Sequence, residues 1–412
     1  MELRSVHGSI TCMERDEEGV GVRLVNHGFL YYLNGDSLRA SALPPFQKLK
    51  LDGIVGPYNK LFFPYPCSYS NRHNCIDEKL ASFNASNARK LMHELMGALR
   101  ESNPAVSLSS TLIISTHHIA LLNSRGLAAE QELGSLDAYA KVFSTKRQKV
   151  ASSQTKFGSA RFNKHELMAD ILSAGKRAAR LTTTRRLRKP AHGKIILGPR
   201  ATSSLLRAAL GAAICVDNIF DSFLRNRMNK TIGPRQLNLS DDGELEGGRF
   251  SSKFDAEGVR RQRTQLIERG VLTNCISDVV SGHLAKVAST GNASRGKDWD
   301  HRVVTSTSPT NLVMGPGRKE LEDLVAESEK AVVLTDMNCN ADSSSRQVNC
   351  IIEAGYLVKS RDVKSDFTNA IVILDLPGLF RNIREVGADT ICSYDVTCPS
   401  IELAETTVYP FH

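Results

Sequence analysis

The run NASNARKLMHELMGALRES, residues 84–102, places Ala88, Leu91, Met92, Leu95, Met96 and Leu99 three and four positions apart. That spacing gathers them into one stripe on a helix. An apolar stripe of this length must be covered, so the helix has to lie on a sheet or on other helices. A second helix is expected from about Lys164 to Leu181. Other segments follow a different period. VGVRLVNHGFLYYLNG, residues 20–35, alternates around Asn-His-Gly and predicts a β-hairpin. VSLSSTLIISTHHIALLNSRGLAAEQEL reads as strand, strand and turn, the turn at Asn123–Gly126. Beyond residue 245, ERGVLTNCISDV, KAVVLTDM, VNCIIEAGYLV and NAIVILDL are short apolar runs between turn residues. These point to antiparallel β-structure. The expectation is an α+β (mixed α/β) chain of two domains, an N-terminal α/β domain over residues 1–192 and an antiparallel β-rich domain over 193–412. The boundary is set at RKPAHGK.

Composition excludes several classes. The 412 residues are 41% hydrophobic and 24% charged, as in soluble globular proteins. No segment approaches the roughly 18–20 apolar residues that span a bilayer. The N-terminus lacks an apolar signal region, so a cytoplasmic location is expected. Nine cysteines are scattered without a C-x-x-C pair, which argues against a disulfide framework or zinc ribbon and for small buried thiols. The net charge of +9 is concentrated in Lys141–Lys194. Such a stretch can attract nucleic acid, but stacking aromatics are missing from Arg177–Lys194, and a solvated basic face is the simpler account. The Pro- and aromatic-containing loop Pro44–Tyr69 is expected to pack onto the domain.

The tetrapeptide HELM occurs twice, at His93–Met96 and His165–Met168. A zinc helix of the H-E-x-x-H type needs a second histidine on the same face, and neither copy has one. His93 and Glu94 fall off the apolar stripe and are expected to face solvent. In the second copy Asn163 precedes Glu166 by three, the spacing of a capping box. His117 and His118, adjacent on a strand, point to opposite faces and do not share a metal. Asp241, Asp242, Glu244 and Glu246 form an acidic cluster that can bind a cation, though a solvated turn is the plainer expectation. No G-x-S-x-G, P-loop or G-x-G-x-x-G is present.

Several blocks resemble the TldD/TldE (PmbA) family, the modulators of DNA gyrase. KFDAEGVRRQRTQLIERGVLTNCISD, Lys253–Asp278, is similar to the family's F-D-x-E-G block. STGNASRG, Ser289–Gly296, and SPTNLVMGPGRKELEDLV, Ser308–Val325, follow in the family's order. VGVRLVNHG and IALLNSRGL resemble its N-terminal blocks. The resemblance implies a heterodimeric zinc peptidase, acting on peptides or small peptide-like natural-product conjugates. Its catalytic D-type subunit carries H-E-x-x-x-H on a helix after a strand ending in Gly/Pro, and a cysteine near the C-terminus completes the site. Here the corresponding strand is IILGPR and the helix is expected over Ser204–Ile214, which puts Arg207, Ala208 and Ala212 at the motif positions. Arginine cannot ligate zinc and alanine carries no carboxylate.

The resemblance therefore implies an E-type subunit with no catalytic residue and no metal of its own, the zinc lying in a TldD-like partner. Candidate substrate-cleft residues are Arg207, Gly291, Asn292, Asn311 and Cys398, with Arg207 able to grip a carboxylate or else to face a neighbouring acid. Two alternatives stay open. One is an autonomous homodimeric hydrolase using Cys398 or His283 without metal. The other is a nucleic-acid or gyrase-associated binder working through Arg185, Arg186 and Arg188. The sequence departs from the family in the roughly nineteen residues before the hairpin, where a helix is usual, and in SSSRQVNCIIEAGYLV, which lacks the expected glycines.

Overall fold

The computed structural model describes residues 1–6, 9–26, 29–36, 63–69, 76–297, 299–341 and 346–411. Cys75 and most of the Pro44–Tyr69 loop lie outside them.

The N-terminal elements are β1 (Glu2–Val6), β2 (Ser9–Met13), the hairpin β3 (Val20–Asn26) and β4 (Phe29–Gly35), α1 (Glu78–Ala81), α2 (Ala85–Ser102), β5 (Val106–Leu122), β6 (Ala128–Lys146), β7 (Lys149–Ser159) and α3 (Lys164–Leu181). Five strands form an antiparallel sheet in the order β2-β1-β5-β6-β7. The stripe on α2 is buried as its spacing predicts, and it meets Leu112, Leu136 and Val142 of the sheet together with Leu167, Ile171 and Ala174 of α3. Gly175 permits the close crossing of the two helices, because a Cβ there would come within 2.8 Å of Leu99 Cδ2. α3 begins at the expected cap, with Asn163 accepting from the Glu166 amide at 3.2 Å, but without the return bond from the Glu166 side chain that would complete a capping box. His93 is exposed, and half-buried Glu94 pairs with Lys164. In both HELM copies the His and Glu stand on the outer side of a helix while the Leu is buried in the core. The expected two strands after residue 106 are one long strand, β5, which pairs with β6 along its whole length.

The rest of the chain comprises β8 (Arg185–Arg186), β9 (Ala191–Leu197), α4 (Pro199–Leu210), β10 (Leu239–Asp242), β11 (Arg263–Glu268), β12 (Val271–Leu272), α5 (Val279–Ala285), β13 (Ala293–Ser294), β14 (Ser306–Thr307), β15 (Leu312–Met314), α6 (Leu321–Ala326), β16 (Lys330–Asn340), β17 (Gln347–Lys359), β18 (Asp362–Thr368), β19 (Ala370–Asp375), β20 (Ile383–Val386), β21 (Ile391–Ser393), β22 (Val396–Cys398) and β23 (Ile401–Pro410). The larger sheet runs β16-β9-β23-β19-β17-β18-β8, and an added β16–β17 pairing closes five of its strands into a ring. Closure removes two edges that would otherwise expose unpaired backbone. The second sheet runs β12-β11-β10-β15-β22-β21. Most pairings are antiparallel, with parallel contacts at β9–β16, β15–β22 and β8–β18. The chain is thus a mixed α+β protein with a β-rich C-terminal region. Side chains of both sheets share one apolar cluster with α4, which contributes Ala201, Leu205, Leu206, Ala209 and Leu210.

Two local expectations are corrected. α4 starts at Pro199 with Gly198 as its cap, and not at Ser204; it ends at Leu210 and not at Ile214. Proline at the first helical position loses no hydrogen bond and presets φ, so it can start a helix that the sequence punctuates as a turn. Among the cysteines, Cys339 and Cys350 form a disulfide. They stand directly opposite each other in the β16–β17 register, which brings their Cα atoms to 4.1 Å.

Candidate functional site

A cavity of about 300 Å³ opens where β6 and β7 of the first sheet face α4 and the loops of the second half. That volume lies at the lower end of small-molecule sites. Its wall is strongly cationic. Lys156, Arg207, Arg249, Arg261, Arg295 and Lys297 line it, against one lining carboxylate, Asp395, among the described residues. Tyr139, Phe250, Trp299 and Tyr394 supply aromatic surface.

Arg207 sits in the last turn of α4. Its Nε donates to Asp395 Oδ1 at 2.8 Å, and its Nη2 donates to Asp395 and to the Ser393 carbonyl. The same side chain lines the cavity, so it both faces the cavity and pairs with a neighbouring acid. Tyr394, between those two partners in the chain, adopts a left-handed backbone, with φ at 64°. Its hydroxyl accepts from Tyr139 at 3.1 Å, and Phe250 packs edge-on against its ring. Burial pushes the Tyr394 phenol up, so it stays protonated. Arg249 forms a two-pronged pair with Asp137 at 2.6 and 2.7 Å, with both side chains 5% exposed. This pair ties the loop after residue 248 to β6.

Beneath the cavity lies a buried polar network. Asp241 accepts from Asn292 Nδ2 (2.7 Å), the Thr310 amide (2.6 Å) and the Thr310 hydroxyl (3.0 Å). Asp255 accepts from the amides of Glu257, Val259 and Ala293. Arg261 donates to the Gly291 and Ala293 carbonyls and to Ser252. Glu257 pairs with Arg23 of β3 and accepts from the Val279 amide. Burial pushes the Asp241 carboxyl up to about 6, its hydrogen bonds and Arg261 opposing the shift in part. The F-D-x-E-G, S-T-G-N-A and P-T-N-L blocks, far apart in sequence, meet in this one network. Gly291 belongs to it as well: at φ 74° it runs so close to Arg260 that a Cβ would lie 2.4 Å from that carbonyl.

Of the expected cleft residues, only Arg207 lines the cavity. Gly291, Asn292 and Asn311 are held below it; Asn311 donates to the Asp242 carbonyl and Ser251 and accepts from the Phe250 amide. Cys398 is buried on β22, its thiol donating to the Pro199 carbonyl at 3.3 Å and pushed up by burial. His283 lies on α5, away from the lining. Ala208 is in the last turn of α4, and Ala212 lies past its end. The acidic cluster is dispersed: Asp241 is buried in β10, Glu244 pairs with Arg260 and Glu246 with Arg161. Arg185, Arg186 and Arg188 are exposed on and beside β8. His117 lines the cavity while His118 faces outward, as their alternation predicts. Among the described residues no three His, Cys, Asp or Glu side chains come together in a metal-binding group, and no helix is long and apolar enough to cross a membrane. Sequence reasoning missed Lys156, Lys297, Trp299 and Tyr394, which come from three segments without a shared motif.

The family profile described as "PmbA/TldA metallopeptidase C-terminal domain" matches residues 190–409, more than half of the chain. The chain belongs to the PmbA/TldD metallopeptidase family. An uncharacterised protein of Methanocaldococcus jannaschii is 27% identical over 316 residues, covering 74% of this chain and 70% of its own. The metalloprotease TldD homologue of Buchnera aphidicola (subspecies Schizaphis graminum) is 27% identical over 231 residues, 52% of this chain and 47% of its own. Metalloprotease PmbA of Escherichia coli O157:H7 is 25% identical over 187 residues, 45% of this chain and 39% of its own. The chain thus spans less than half the length of the named metalloproteases it matches. TldE from Thermococcus kodakarensis superposes with a TM-score of 0.82 at 17% identity, covering 99% of this chain and 94% of that one. A modulator of DNA gyrase from Thermotoga maritima gives 0.81 at 18%, over 99% and 93%. At these identities the likeness establishes the fold.

Proposed function

We propose that this PmbA/TldD-family chain is a non-catalytic E-type subunit of a heterodimeric zinc peptidase. It forms one wall of an enclosed cleft for a peptide or peptide-like conjugate, and a D-type partner carrying H-E-x-x-x-H supplies the zinc. The reading divides the chain into domains at 1–192 and 193–412. What supports it is Arg207. The residue at the first motif position is a permanent cation clamped to Asp395 and the Ser393 carbonyl, at a cavity wall. A guanidinium there repels a metal ion, and Ala208 offers no carboxylate to take a proton from metal-bound water. The residues at these positions do not fit zinc. They do suit a wall that receives the anionic part of a substrate while the partner performs the hydrolysis.

The test is to purify the chain alone and together with an H-E-x-x-x-H homologue from the same source, then measure bound zinc and peptide hydrolysis. The expected result is hydrolysis only with both chains, with zinc following the partner. Stoichiometric zinc on the chain alone, with partner-independent turnover, overturns the proposal.

A further inference from the structure

We infer that the cavity is a carboxylate site in its own right, binding an acid carried on an aromatic or apolar body, and that this chain binds such an acid without any partner.

Three observations carry this. First, the cations of the wall differ in how well they are matched. Arg249 has Asp137, and Arg207 has Asp395 on Nε and Nη2, which leaves Arg207 Nη1 without a partner among the described residues. Lys156 has no carboxylate partner among them either. Arg295 spends Nη1 on two backbone carbonyls, His301 and Val303, which do not neutralise it. Among the described residues Lys297 meets the Tyr139 hydroxyl, at 3.4 Å, and the faces of Tyr139 and Tyr394, at 5.7 and 5.6 Å, and no carboxylate. The wall therefore holds positive charge in excess of its own acids, and an anion completes it.

Second, Ser135 lines the cavity, is 2% exposed, and its hydroxyl has no hydrogen-bond partner among the described residues. A buried hydroxyl is ordinarily paired, so an orphan on a cavity wall calls for a ligand atom. Third, the charge stands on aromatic ground. Lys156 is directly opposite Tyr139 in the β6–β7 register, and Phe250, Tyr394 and Trp299 complete the surface. A bare ion leaves those rings uncovered, whereas an acid with an aromatic or apolar body covers them.

Either a peptide C-terminus or a free organic acid has this chemistry. The inference deepens the proposed function, resting on this face being a substrate wall, but its test needs only the isolated chain. Trp299 is the chain's single tryptophan and lies in the cavity wall, so its fluorescence reports occupancy. The probes are N-acetyl-phenylalanine and an acetylated tetrapeptide ending in phenylalanine, each as free acid and as amide, with inorganic phosphate as a bare anion. At least one acid is expected to shift the Trp299 emission saturably, with its amide and phosphate each at least about tenfold weaker. Lys156→Gln and Ser135→Val, each checked for an unchanged thermal transition, are expected to weaken that acid by about tenfold, as loss of a charge-assisted or buried hydrogen bond does. Arg188→Gln, at an exposed residue outside the lining, removes the same charge and is expected to leave the affinity unchanged.

Acids that bind no better than their amides overturn the inference. So does phosphate binding as tightly as the acids, or an Arg188→Gln effect as large as that of Lys156→Gln. Binding of the tetrapeptide acid identifies a peptide end as the ligand; binding of N-acetyl-phenylalanine alone identifies a free acid, and then the cavity stands while the substrate-wall reading falls. Hydrolysis that fails with a partner while acid binding persists likewise sinks only the subunit assignment.

Discussion

The wall of the cavity and the network beneath it are built from the same residue types and are used in opposite ways. Below, Asp241, Asp255, Glu257 and Arg261 are buried, and each carboxylate is saturated by amides, hydroxyls or a guanidinium. Above, Arg207 and Asp395 are paired but remain 35% and 22% exposed, and Lys156 and Lys297 are open to solvent. A buried charge is costly unless every partner is present, so the lower layer tolerates little change. The upper layer gives up some pairing and keeps donors for something else. The recognisable motifs of the sequence build the lower layer, and they reach the cavity itself through Arg261, Ser294–Gly296 and Ser308–Thr310.

The largest effect is expected where the layers are joined. Asp137→Ala strips Arg249 of its two-pronged carboxylate in a site 5% exposed, and removing one partner of a buried pair costs about 3–5 kcal/mol. Denaturant unfolding should show this as a lower midpoint with an unchanged slope. A loss below about 1 kcal/mol, typical of exposed pairs, would place the Arg249–Asp137 pair with the wall and erase the distinction.

The lower layer should also leave a signature in pH. Burial raises the Asp241 carboxyl from 3.8 to about 6. Between those values the folded chain holds a proton that the unfolded chain has released, so stability falls as pH rises through that window. The contribution is fully present below about 4 and is spent above about 6, on the order of 3 kcal/mol in all. Asp241→Asn removes the titration. Relative to the unchanged protein, its stability curve should lose a descending component of up to about 1.4 kcal/mol per pH unit in this window. Parallel curves for the two proteins would show that Asp241 is ionised throughout, its three donors having outweighed burial.

How much of this was legible follows from the range of the interactions. The stripe on α2 and the Asn163 start of α3 are local, set by residues within one or two turns, and the structure keeps both. The β-rich character of the second half was legible from its short apolar runs. Ring closure through β16–β17 was not, because no period in a strand says which distant strand will pair with it. The Cys339–Cys350 disulfide is a consequence of that same register. α4 was misplaced at both ends because Gly198-Pro199 reads as a break, although proline fits the first turn of a helix. The candidate site fared unevenly. Arg207 was visible by its place after a strand ending in Gly-Pro, while Gly291, Asn292 and Asn311 lie below the cavity and their neighbours Arg295 and Thr310 line it. Lys156, Ser135 and Trp299 carry no mark in sequence, since their meaning comes from a cavity assembled across both halves of the chain.

The smallest effect, and the one that separates the layers most sharply, belongs to Arg207. Its pair with Asp395 is partly exposed, so Arg207→Ala should cost only about 1 kcal/mol or less. The cation–π contact of its guanidinium with Tyr394 adds little, because Cζ lies 6.0 Å from the ring centroid. Arg207→Lys keeps the charge but cannot reproduce contacts to Asp395 and the Ser393 carbonyl from two nitrogens of one planar group. Thermal melts should therefore barely distinguish the two variants. Acid binding followed through Trp299 should distinguish them, with Arg207→Lys retaining part of the affinity and Arg207→Ala losing more. If instead both variants melt several degrees lower and bind equally, Arg207 is a structural strut like Arg249, and the charge left over in the wall is that of Lys156, Arg295 and Lys297.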